Sequence, residues 1–297
     1  MRRHPFAGPI AALLLLWFVW GYNWVVMKRV GEFADPLDFS ALRALFGALT
    51  LFLTLLALRR PLRPTRVPGL LLMGLLQNTA FLALIQMALV SGAAGRTAVL
   101  VYTMPFWLLP LAWLMLGERI RGLQWLAIAM AAAGLALVVG PAGLAGSLQS
   151  SALALTAGLC WAVSTIVARR MGIQQGADLL SLTAWQMLFG AIALCALAAW
   201  VPSRPIEWSG YLIGALVYNA VPATALAWIL WLYVVKSLPA GAAGLSSLGI
   251  PLVGVLAGAL ELGERPPLSE LAGMGLILAA LAVIGLRALF SRPPASG

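Results

Sequence analysis

Residues able to carry out acid–base, nucleophilic or metal chemistry are scarce in this chain. Of its 297 residues, nine are acidic, two are cysteine and one is histidine, His4, near the amino terminus. This position excludes His-dependent hydrolysis within a membrane and His-cluster metal enzymes. Cys160 and Cys195 stand apart, as is typical of small packing residues. The sequence has no paired carboxylates within an apolar run and no glycine-rich phosphate loop, so we predict no catalytic residue, metal site or cofactor.

Aromatic and hydrogen-bonding side chains within long apolar runs are the candidate binding residues. In an apolar medium, amides and hydroxyls need partners, so they face the protein interior or a wet cavity. Aromatic walls with a few polar groups are the usual composition of a small-ligand site. Packing between helices is the commoner role for any one of these residues, and the whole set carries the prediction. The predicted set is Trp17, Trp20, Asn78, Phe81, Tyr102, Trp161, Ser164, Tyr218 and Ser247.

A charged tetrapeptide, Leu-Gly-Glu-Arg, occurs twice, at Leu116–Arg119 and Leu262–Arg265. One hypothesis is a gate in which Glu118, Arg119, Glu264 and Arg265 pair with the opposite half of the protein. The alternative, which we favour, is that they end helices and mark an interface, since exposed ion pairs contribute about 0–1 kcal/mol. A proline precedes each copy by 11 residues. Pro105 and Pro251 are therefore candidate hinges, because proline frees backbone groups within a helix.

The composition of the chain predicts that these residues lie on transmembrane helices. Hydrophobic residues make up 62% of the chain, charged residues make up 9%, and the mean hydropathy is +0.98. Apolar runs of about 20 residues are long enough to span a bilayer. They must be helices, because backbone groups in hydrocarbon need partners within their own segment. The first run is too long and too aromatic for a signal peptide and is interpreted as a retained helix. The ten predicted spans are 9–27, 38–58, 67–90, 94–116, 122–140, 151–168, 179–200, 210–235, 240–262 and 268–288.

The distribution of lysine and arginine predicts the orientation of these spans. With the amino terminus inside, 13 basic residues fall in inner segments and 5 in outer ones. Cytoplasmic segments are the ones enriched in lysine and arginine, so both termini are predicted to be cytoplasmic. This asymmetry also accounts for the net charge of +10. The basic residues are scattered over loops and form no single stripe, so we predict no nucleic-acid partner.

Internal repetition divides the chain into two halves. Besides the tetrapeptide, "LFGA" occurs at 45–48 and 188–191, and "WGYNWVVMKR" at 20–29 resembles "WAVSTIVARR" at 161–170. All these matches keep the same order at a slowly growing offset, which indicates a duplication with division into 1–143 and 144–297. Each half has five spans, so the second half enters the membrane the other way up. Inverted repeats of this kind are typical of transporters, with a site near the bilayer midplane.

These residues resemble a known family. The chain is similar to the EamA-like, ten-helix members of the drug/metabolite transporter superfamily over nearly its whole length. The resemblance is carried by "LLWFVWGYNWVVMKR", by "ALAWILWLYVVKSLPAGAAGLSSLGIPLVGVLAGALELGER" and by "GMGLILAALAVIGL". The most similar members are bacterial inner-membrane exporters of aromatic and other apolar amino acids. This resemblance implies export of a small metabolite across the bacterial inner membrane, with the lipid bilayer as surroundings. A monomer is the expected assembly.

The positions of the charged residues predict whether transport is coupled to an ion gradient. No acidic residue falls in the middle of a span, and coupled carriers usually keep an ionisable group at membrane depth. We therefore predict a facilitative uniporter that works by alternating access. The alternatives left open are a hidden sodium site, a carrier of a purine, sugar or drug, and an intramembrane enzyme or scaffold. Arg43, the one strong charge well within a span, is either a carboxylate anchor or gate latch, or a residue that snorkels to the outer boundary. We favour the second interpretation.

Overall fold

The computed structural model describes residues 7–120, 122–139, 148–171, 178–237 and 246–290. Every regular element within these residues is helical. Eight helices are long and apolar enough to cross a membrane, and two shorter apolar helices, Leu123–Val139 and Leu248–Glu261, occupy the predicted fifth and ninth positions. The prediction of an all-α polytopic membrane protein with ten transmembrane helices is confirmed.

We number the ten membrane helices in chain order. The third and eighth helices each contain a π-helical segment, and the fourth is interrupted after Val101. The helical bounds are Ala7–Val30 (first), Pro36–Ala57 (second), Val67–Met73, Gly74–Ala80 and Phe81–Ser91 (third), Ala94–Val101 and Met104–Leu116 (fourth), Leu123–Val139 (fifth), Leu148–Arg170 (sixth), Leu179–Trp200 (seventh), Gly210–Ala220, Val221–Leu226 and Ala227–Ser237 (eighth), Ser246–Glu261 (ninth) and Leu268–Phe290 (tenth).

The repeated tetrapeptide ends the fourth and ninth helices in the same way. Gly117 and Gly263 adopt left-handed backbone conformations, with φ of 71° and 66°. In each copy the N–H of the following glutamate donates to the carbonyl oxygen six residues earlier, at 3.2 Å for both Glu118 and Glu264. A left-handed glycine with this six-residue hydrogen bond is a helix-terminating motif. The expected helix-ending role of Leu-Gly-Glu-Arg is therefore present in both copies.

Helices of one half pack mainly against helices of the other. The second helix packs against the seventh and the fifth against the tenth, while the first packs against the ninth as the sixth packs against the fourth. Each helix has a counterpart five places along the chain, so that the first corresponds to the sixth and the fourth to the ninth. When each helix in these four pairs is replaced by its counterpart, the same four pairs result. Small residues allow the closest approaches. A Cβ atom on Gly134 of the fifth helix would lie 2.6 Å from the carbonyl oxygen of Gly273 on the tenth.

Polar contacts sort the helix ends into two groups, as ten successive crossings require. At the end that contains Glu264, Lys28 donates to the carbonyl oxygen of Leu89 at 2.6 Å, and Arg204 pairs with Asp35 at 3.2 Å. We call this the Glu264 end. At the opposite end, called the Glu118 end, Arg169 pairs with Glu118 at 3.3 Å and Arg60 with Asp178 at 3.2 Å. Of the connections that the structure describes in full, 31–35, 92–93, 201–209 and 262–267 lie at the Glu264 end, and 58–66 lies at the Glu118 end.

A buried ion pair joins the first turns of the fourth and tenth helices at the Glu264 end. Arg96 and Glu270 are 6% and 9% exposed, and their nitrogen–oxygen distance is 3.7 Å. Arg96 also donates to the Ser151 hydroxyl of the sixth helix at 2.8 Å. Arg96 is one of the five basic residues that we counted in outer segments, at the start of the predicted span 94–116. The structure includes it in the fourth helix, where three helices shield it.

Candidate functional site

A central cavity of about 550 Å³ lies between the two halves. Every helix except the fifth contributes lining residues among those that the structure describes. Most of the wall is aromatic or aliphatic, with polar groups from the first, second, third, sixth, seventh and eighth helices. Six of the predicted residues line this cavity: Trp20, Asn78, Phe81, Tyr102, Pro105 and Trp161.

The aromatic wall combines side chains from both halves. Phe81 of the third helix meets Trp161 of the sixth edge to face, with ring centroids 4.7 Å apart. Trp20 of the first helix lies 6.1 Å from Trp228 and 6.4 Å from Trp231, both on the eighth helix. Edge-to-face and tilted contacts of this kind are favourable arrangements for aromatic rings. The cavity therefore presents two aromatic clusters, and each is shared by a helix of the first half and a helix of the second.

Both π-helical segments face the cavity and lie in equivalent helices of the two halves. Gly74–Ala80 in the third helix supplies Gln77 and Asn78, and Val221–Leu226 in the eighth supplies Ala223 and Thr224. The Trp20 indole nitrogen donates to the carbonyl oxygen of Ala223 at 2.8 Å. A π-helical turn leaves some backbone groups without their usual partners, and such turns are frequent at functional sites. Here an indole satisfies one of these carbonyl groups.

The two candidate hinge prolines, Pro105 and Pro251, differ in the backbone structure around them. Pro105 lines the cavity directly after a break at residues 102–103, where the helix of Ala94–Val101 gives way to that of Met104–Leu116. This is the loosened backbone that we expected. Pro251 instead lies inside the continuous helix Ser246–Glu261. The fourth helix is therefore interrupted next to its candidate hinge proline, whereas the described part of the ninth helix is continuous through its own.

Three predicted binding residues lie outside the cavity. Trp17 packs against the ninth helix, where a Cβ atom on Gly249 would lie 2.0 Å from its ring. The Tyr218 hydroxyl donates to the carbonyl oxygen of Val19 at 2.6 Å and lines a separate apolar groove. Ser164 is fully buried. Their side chains make contacts between helices and lie outside the lining of this cavity, and their role in binding stays a prediction.

Ser164 still affects the cavity through a neighbour. Its side chain and the Gln77 amide oxygen are 3.3 Å apart, with the serine hydroxyl donating. Gln77 lines the cavity, so this bond orients a lining amide. The predicted Ser247 side chain falls outside the described residues.

Arg43 is the one charged side chain among the described lining residues. Its Nη1 atom lies 2.6 Å from the Met27 sulfur, and its guanidinium carbon is 6.0 Å from the centroid of the Phe39 ring. We had favoured a side chain that snorkels to the outer boundary. That interpretation is wrong, because the rotation of the second helix directs Arg43 into the cavity.

Further lining residues were absent from the predicted set. Asn23 is buried one turn before Met27 on the first helix, and Thr183 and Gln186 are buried on the seventh. Thr183 and Gln186 are three residues apart, so they share one face of a helix that is otherwise almost wholly apolar. This pair was the available sequence signal.

The glutamates of the repeated tetrapeptide each contact the opposite half. Glu264 accepts hydrogen bonds from the backbone N–H groups of Ala94 at 2.5 Å and Gly95 at 3.0 Å, at the start of the fourth helix. Glu118 pairs with Arg169 of the sixth helix, and both side chains are about half exposed. The neighbouring arginines, Arg119 and Arg265, are exposed and form no ion pair with any residue that the structure describes. The cross-half contacts thus involve the glutamates.

A comparison with protein families decides the identity of this architecture. Residues 8–140 and residues 149–286 each match the EamA-like transporter family. The chain belongs to the EamA-like transporter family. The two matched stretches correspond to the two five-helix halves, whose helices pack against each other in symmetric pairs. The protein is therefore a multi-pass membrane transporter with a two-repeat fold, and its central cavity lies between the repeats.

Individual relatives cover the EamA-like chain almost from end to end. It is 28% identical to the "Uncharacterized transporter YvbV" of Bacillus subtilis (strain 168), over 100% of this chain and 98% of that protein. It is 27% identical to the "Uncharacterized inner membrane transporter YedA" of Escherichia coli (strain K12), over 99% and 96%. A solved crystal structure shares the fold of this EamA-like protein, with a TM-score of 0.67, 18% identity, and coverage of 95% of this chain and 99% of that one.

Proposed function

We propose that this transporter exports small apolar and aromatic amino acids across the bacterial inner membrane. The observation that carries the proposal is the central cavity, whose walls combine Phe81 and Trp161 with Trp20 and Trp228. Its volume of about 550 Å³ lies within the usual range of small-ligand sites, about 300–1,000 Å³. Aromatic rings suit an apolar side chain, and the amides of Asn23, Gln77 and Gln186 suit the polar groups of an amino acid.

Alternating access is the proposed mechanism. The cavity lies between two five-helix halves whose main contacts are with each other. Rocking one half against the other would expose the same lining residues first at one end and then at the other. The interrupted fourth helix and the two π-helical segments supply irregular backbone at the cavity, where such backbone is tolerated.

The transport is proposed to be a uniport, in which the substrate moves down its own gradient. Among the described lining residues there is no aspartate, glutamate or histidine. A coupled carrier must bind its ion differently in its different states. Hydroxyl and amide side chains do not titrate near pH 7, so they provide no proton site there.

The arrangement in the membrane is part of the same proposal. Residues 1–143 and 144–297 form two inverted repeats, both termini are cytoplasmic, and the Glu118 end faces the cytoplasm. Support comes from the 13-to-5 distribution of basic residues and from the alternation of helix ends. The name of the Escherichia coli relative, "Uncharacterized inner membrane transporter YedA", supports the location. A single chain contains both halves of the cavity, which supports a monomer.

The test is substrate counterflow in liposomes that contain only the purified protein. Vesicles are preloaded with one unlabelled compound, and uptake of the same labelled compound is measured. The panel contains aromatic amino acids, aliphatic amino acids, nucleobases, sugars and lipophilic cations. Counterflow of aromatic and large aliphatic amino acids is the expected result. Counterflow of a nucleobase, sugar or cation alone would replace the proposed substrate, and no counterflow of any compound would oppose a carrier function for the isolated protein.

A further inference from the structure

We infer that Arg43 binds the carboxylate of the transported molecule, with the Asn23 and Asn78 amides as further polar contacts. This inference rests on the proposed function and identifies the group of the substrate that the cavity recognises. Its chemical class is a small monocarboxylate or zwitterion with an apolar side chain.

The first observation is that the Arg43 charge has no acidic partner. All nine acidic side chains of the chain fall within the described residues, and none forms an ion pair with Arg43. Its neighbours are the Met27 sulfur and the Phe39 ring, which are weak partners for a cation. A charge at membrane depth is costly, and such charges usually pair or mark a substrate path. Guanidinium offers a planar fork of donors that matches a carboxylate.

Two buried amides provide an independent observation at the same cavity. Asn23 and Asn78 are 5% and 4% exposed, and both line the cavity. Each has a buried amide atom without a hydrogen-bond partner among the described residues. A buried polar group left unpaired is destabilising, so such groups in native proteins call for a partner. An amide can donate to a carboxylate or accept from an ammonium group.

Arg43 and Asn23 occupy one part of the cavity. Asn23 lies one helical turn before Met27 on the first helix, and Met27 is the residue that Arg43 contacts. An amino acid with its carboxylate at Arg43 would extend its side chain towards Phe81 and Trp161. A lipophilic cation would instead meet the uncompensated charge of Arg43, so the site discriminates against it.

The experiment compares two ligands that differ at the carboxyl group. Phenylalanine and phenylalaninamide compete for counterflow in liposomes, and the ratio of their half-inhibitory concentrations is measured. The wild-type protein is expected to favour phenylalanine by about tenfold or more, because a hydrogen bond to a charged group has about that effect. Arg43→Gln should reduce the ratio to about one, and Arg43→Lys should leave it in between, because lysine retains the charge without the fork.

Arg63→Gln is the matched control, since Arg63 is exposed at the Glu118 end. It should leave the ratio unchanged. If Arg43→Gln weakens both ligands equally, Arg43 is structural and the inference is wrong. If wild type carries phenylalanine without preferring it to the amide, the inference fails while the proposed function stands. If wild type carries neither compound but another of the panel, the proposed function itself fails.

A second inference rests on different residues, and it does not depend on the substrate. We propose that Glu264 is a latch that holds the Glu264 end closed. Its two carboxylate oxygens accept from the first two N–H groups of the fourth helix, at Ala94 and Gly95. A carboxylate at a helix amino terminus satisfies free N–H groups and is stabilised by the helix dipole. This cap is supplied by the second half to the first, so opening this end must break it.

Glycines provide the space for the latch. A Cβ atom on Gly258 would lie 2.5 Å from a Glu264 carboxylate oxygen, and one on Gly95 would lie 2.8 Å from the Val255 Cα atom. The fourth and ninth helices therefore approach closely where the carboxylate binds. In sequence, the Gly-Ala-Ala-Gly at 92–95 that contains the capped residues recurs at 241–244. Both the tetrapeptide with the glutamate and the segment that receives it thus belong to the duplicated unit.

The position of the cavity agrees with a closed Glu264 end. Its lining continues to residues near the Glu118 end, including Ala168, Leu179 and Gly285. At the Glu264 end, the salt bridge between Arg29 and Glu261, at 2.8 Å, joins the first and ninth helices beside the latch. The structure therefore combines a latched end with a cavity that extends towards the other end.

The test measures access to the cavity from the latched end. A single cysteine replaces Ile85, a buried lining residue, in a protein whose two native cysteines have been replaced. An impermeant maleimide is applied to right-side-out and inside-out vesicles, so both ends are measured. Glu264→Gln should increase the labelling rate from the Glu264 end about tenfold, because it removes a charged cap. Gly258→Ala should act in the same direction, since the new methyl group displaces the carboxylate.

Glu207→Gln is the control, because Glu207 is an exposed glutamate at the same end. It should label at the wild-type rate. Unchanged labelling in both Glu264→Gln and Gly258→Ala, at equal amounts of folded protein, would overturn the latch. An equal increase in the Glu207→Gln control would also overturn it, because the effect would then be one of general surface charge.

Discussion

The ring of Trp161 meets that of Phe81 at 82°, with 4.7 Å between their centroids. These residues belong to the sixth and third helices, and therefore to different halves of the transporter. The contact lies on the cavity wall, so a rocking motion of the halves would change it. An aromatic substrate placed here would contact both halves at once.

Loss of an aromatic wall residue should weaken transport. Trp161→Ala and Tyr102→Ala are each expected to reduce transport several-fold, because aromatic contacts contribute roughly 0.5–1.5 kcal/mol beyond the area that they bury. The measurement is initial counterflow rate at equal protein level. Trp200→Ala is the control, since Trp200 is 87% exposed at the end of the seventh helix. Wild-type rates in both cavity variants would remove these residues from the site.

The two copies of the tetrapeptide should face opposite sides of the membrane. In a background without native cysteines, Ile120→Cys and Pro266→Cys place one thiol beside each copy. In intact cells, an impermeant thiol reagent should label position 266 and leave position 120 unlabelled, because basic loops remain in the cytoplasm. Permeabilised cells provide the control and should label both. Equal labelling of the two positions in intact cells would contradict the inverted arrangement.

Transport should proceed without an imposed ion gradient. With substrate loaded inside liposomes, efflux is expected to continue at the same rate after an uncoupler collapses any proton gradient. The physical reason is that the described cavity has no acidic or histidine side chain to carry a proton. Accumulation of substrate above equilibrium, driven by a proton or sodium gradient, would refute the uniport and require a hidden ion site.

Packing of the fifth helix on the tenth should depend on glycine at one position and tolerate alanine two residues later. A Cβ atom on Gly273 would lie 2.6 Å from the carbonyl oxygen of Gly134, whereas one on Gly275 meets no atom within 4 Å. Gly273→Ala should therefore lower the free energy of unfolding by about 1–3 kcal/mol, the usual cost of overpacking. Gly275→Ala should be neutral or slightly stabilising, since alanine favours the helix. Thermal unfolding in detergent measures both, and equal stability of the two variants would argue against this close approach.

Much of the architecture could be predicted from the sequence, because the constraints that a membrane places on a helix act within each segment of the chain. A run of about 20 apolar residues must satisfy its own backbone, so ten helices could be predicted without knowing their neighbours. The repeated tetrapeptides indicated the two-repeat fold, and each copy of the tetrapeptide indicated a helix end. Boundaries agreed to within a few residues; the sixth span, predicted at 151–168, extends over Leu148–Arg170.

Tertiary structure decided which side chains reach the cavity. Trp17 and Trp20 are three residues apart on one helix, yet Trp17 packs on Gly249 while Trp20 lines the cavity. Hydropathy gives the depth of a residue in the membrane, whereas the direction of its side chain depends on how the helix is rotated against its neighbours. For Arg43 that rotation turns an expected boundary residue into the one charged group among the described lining residues. These rotations depend on close contacts at small residues between helices that are far apart in the sequence. Such contacts cannot be inferred from the sequence of one helix alone.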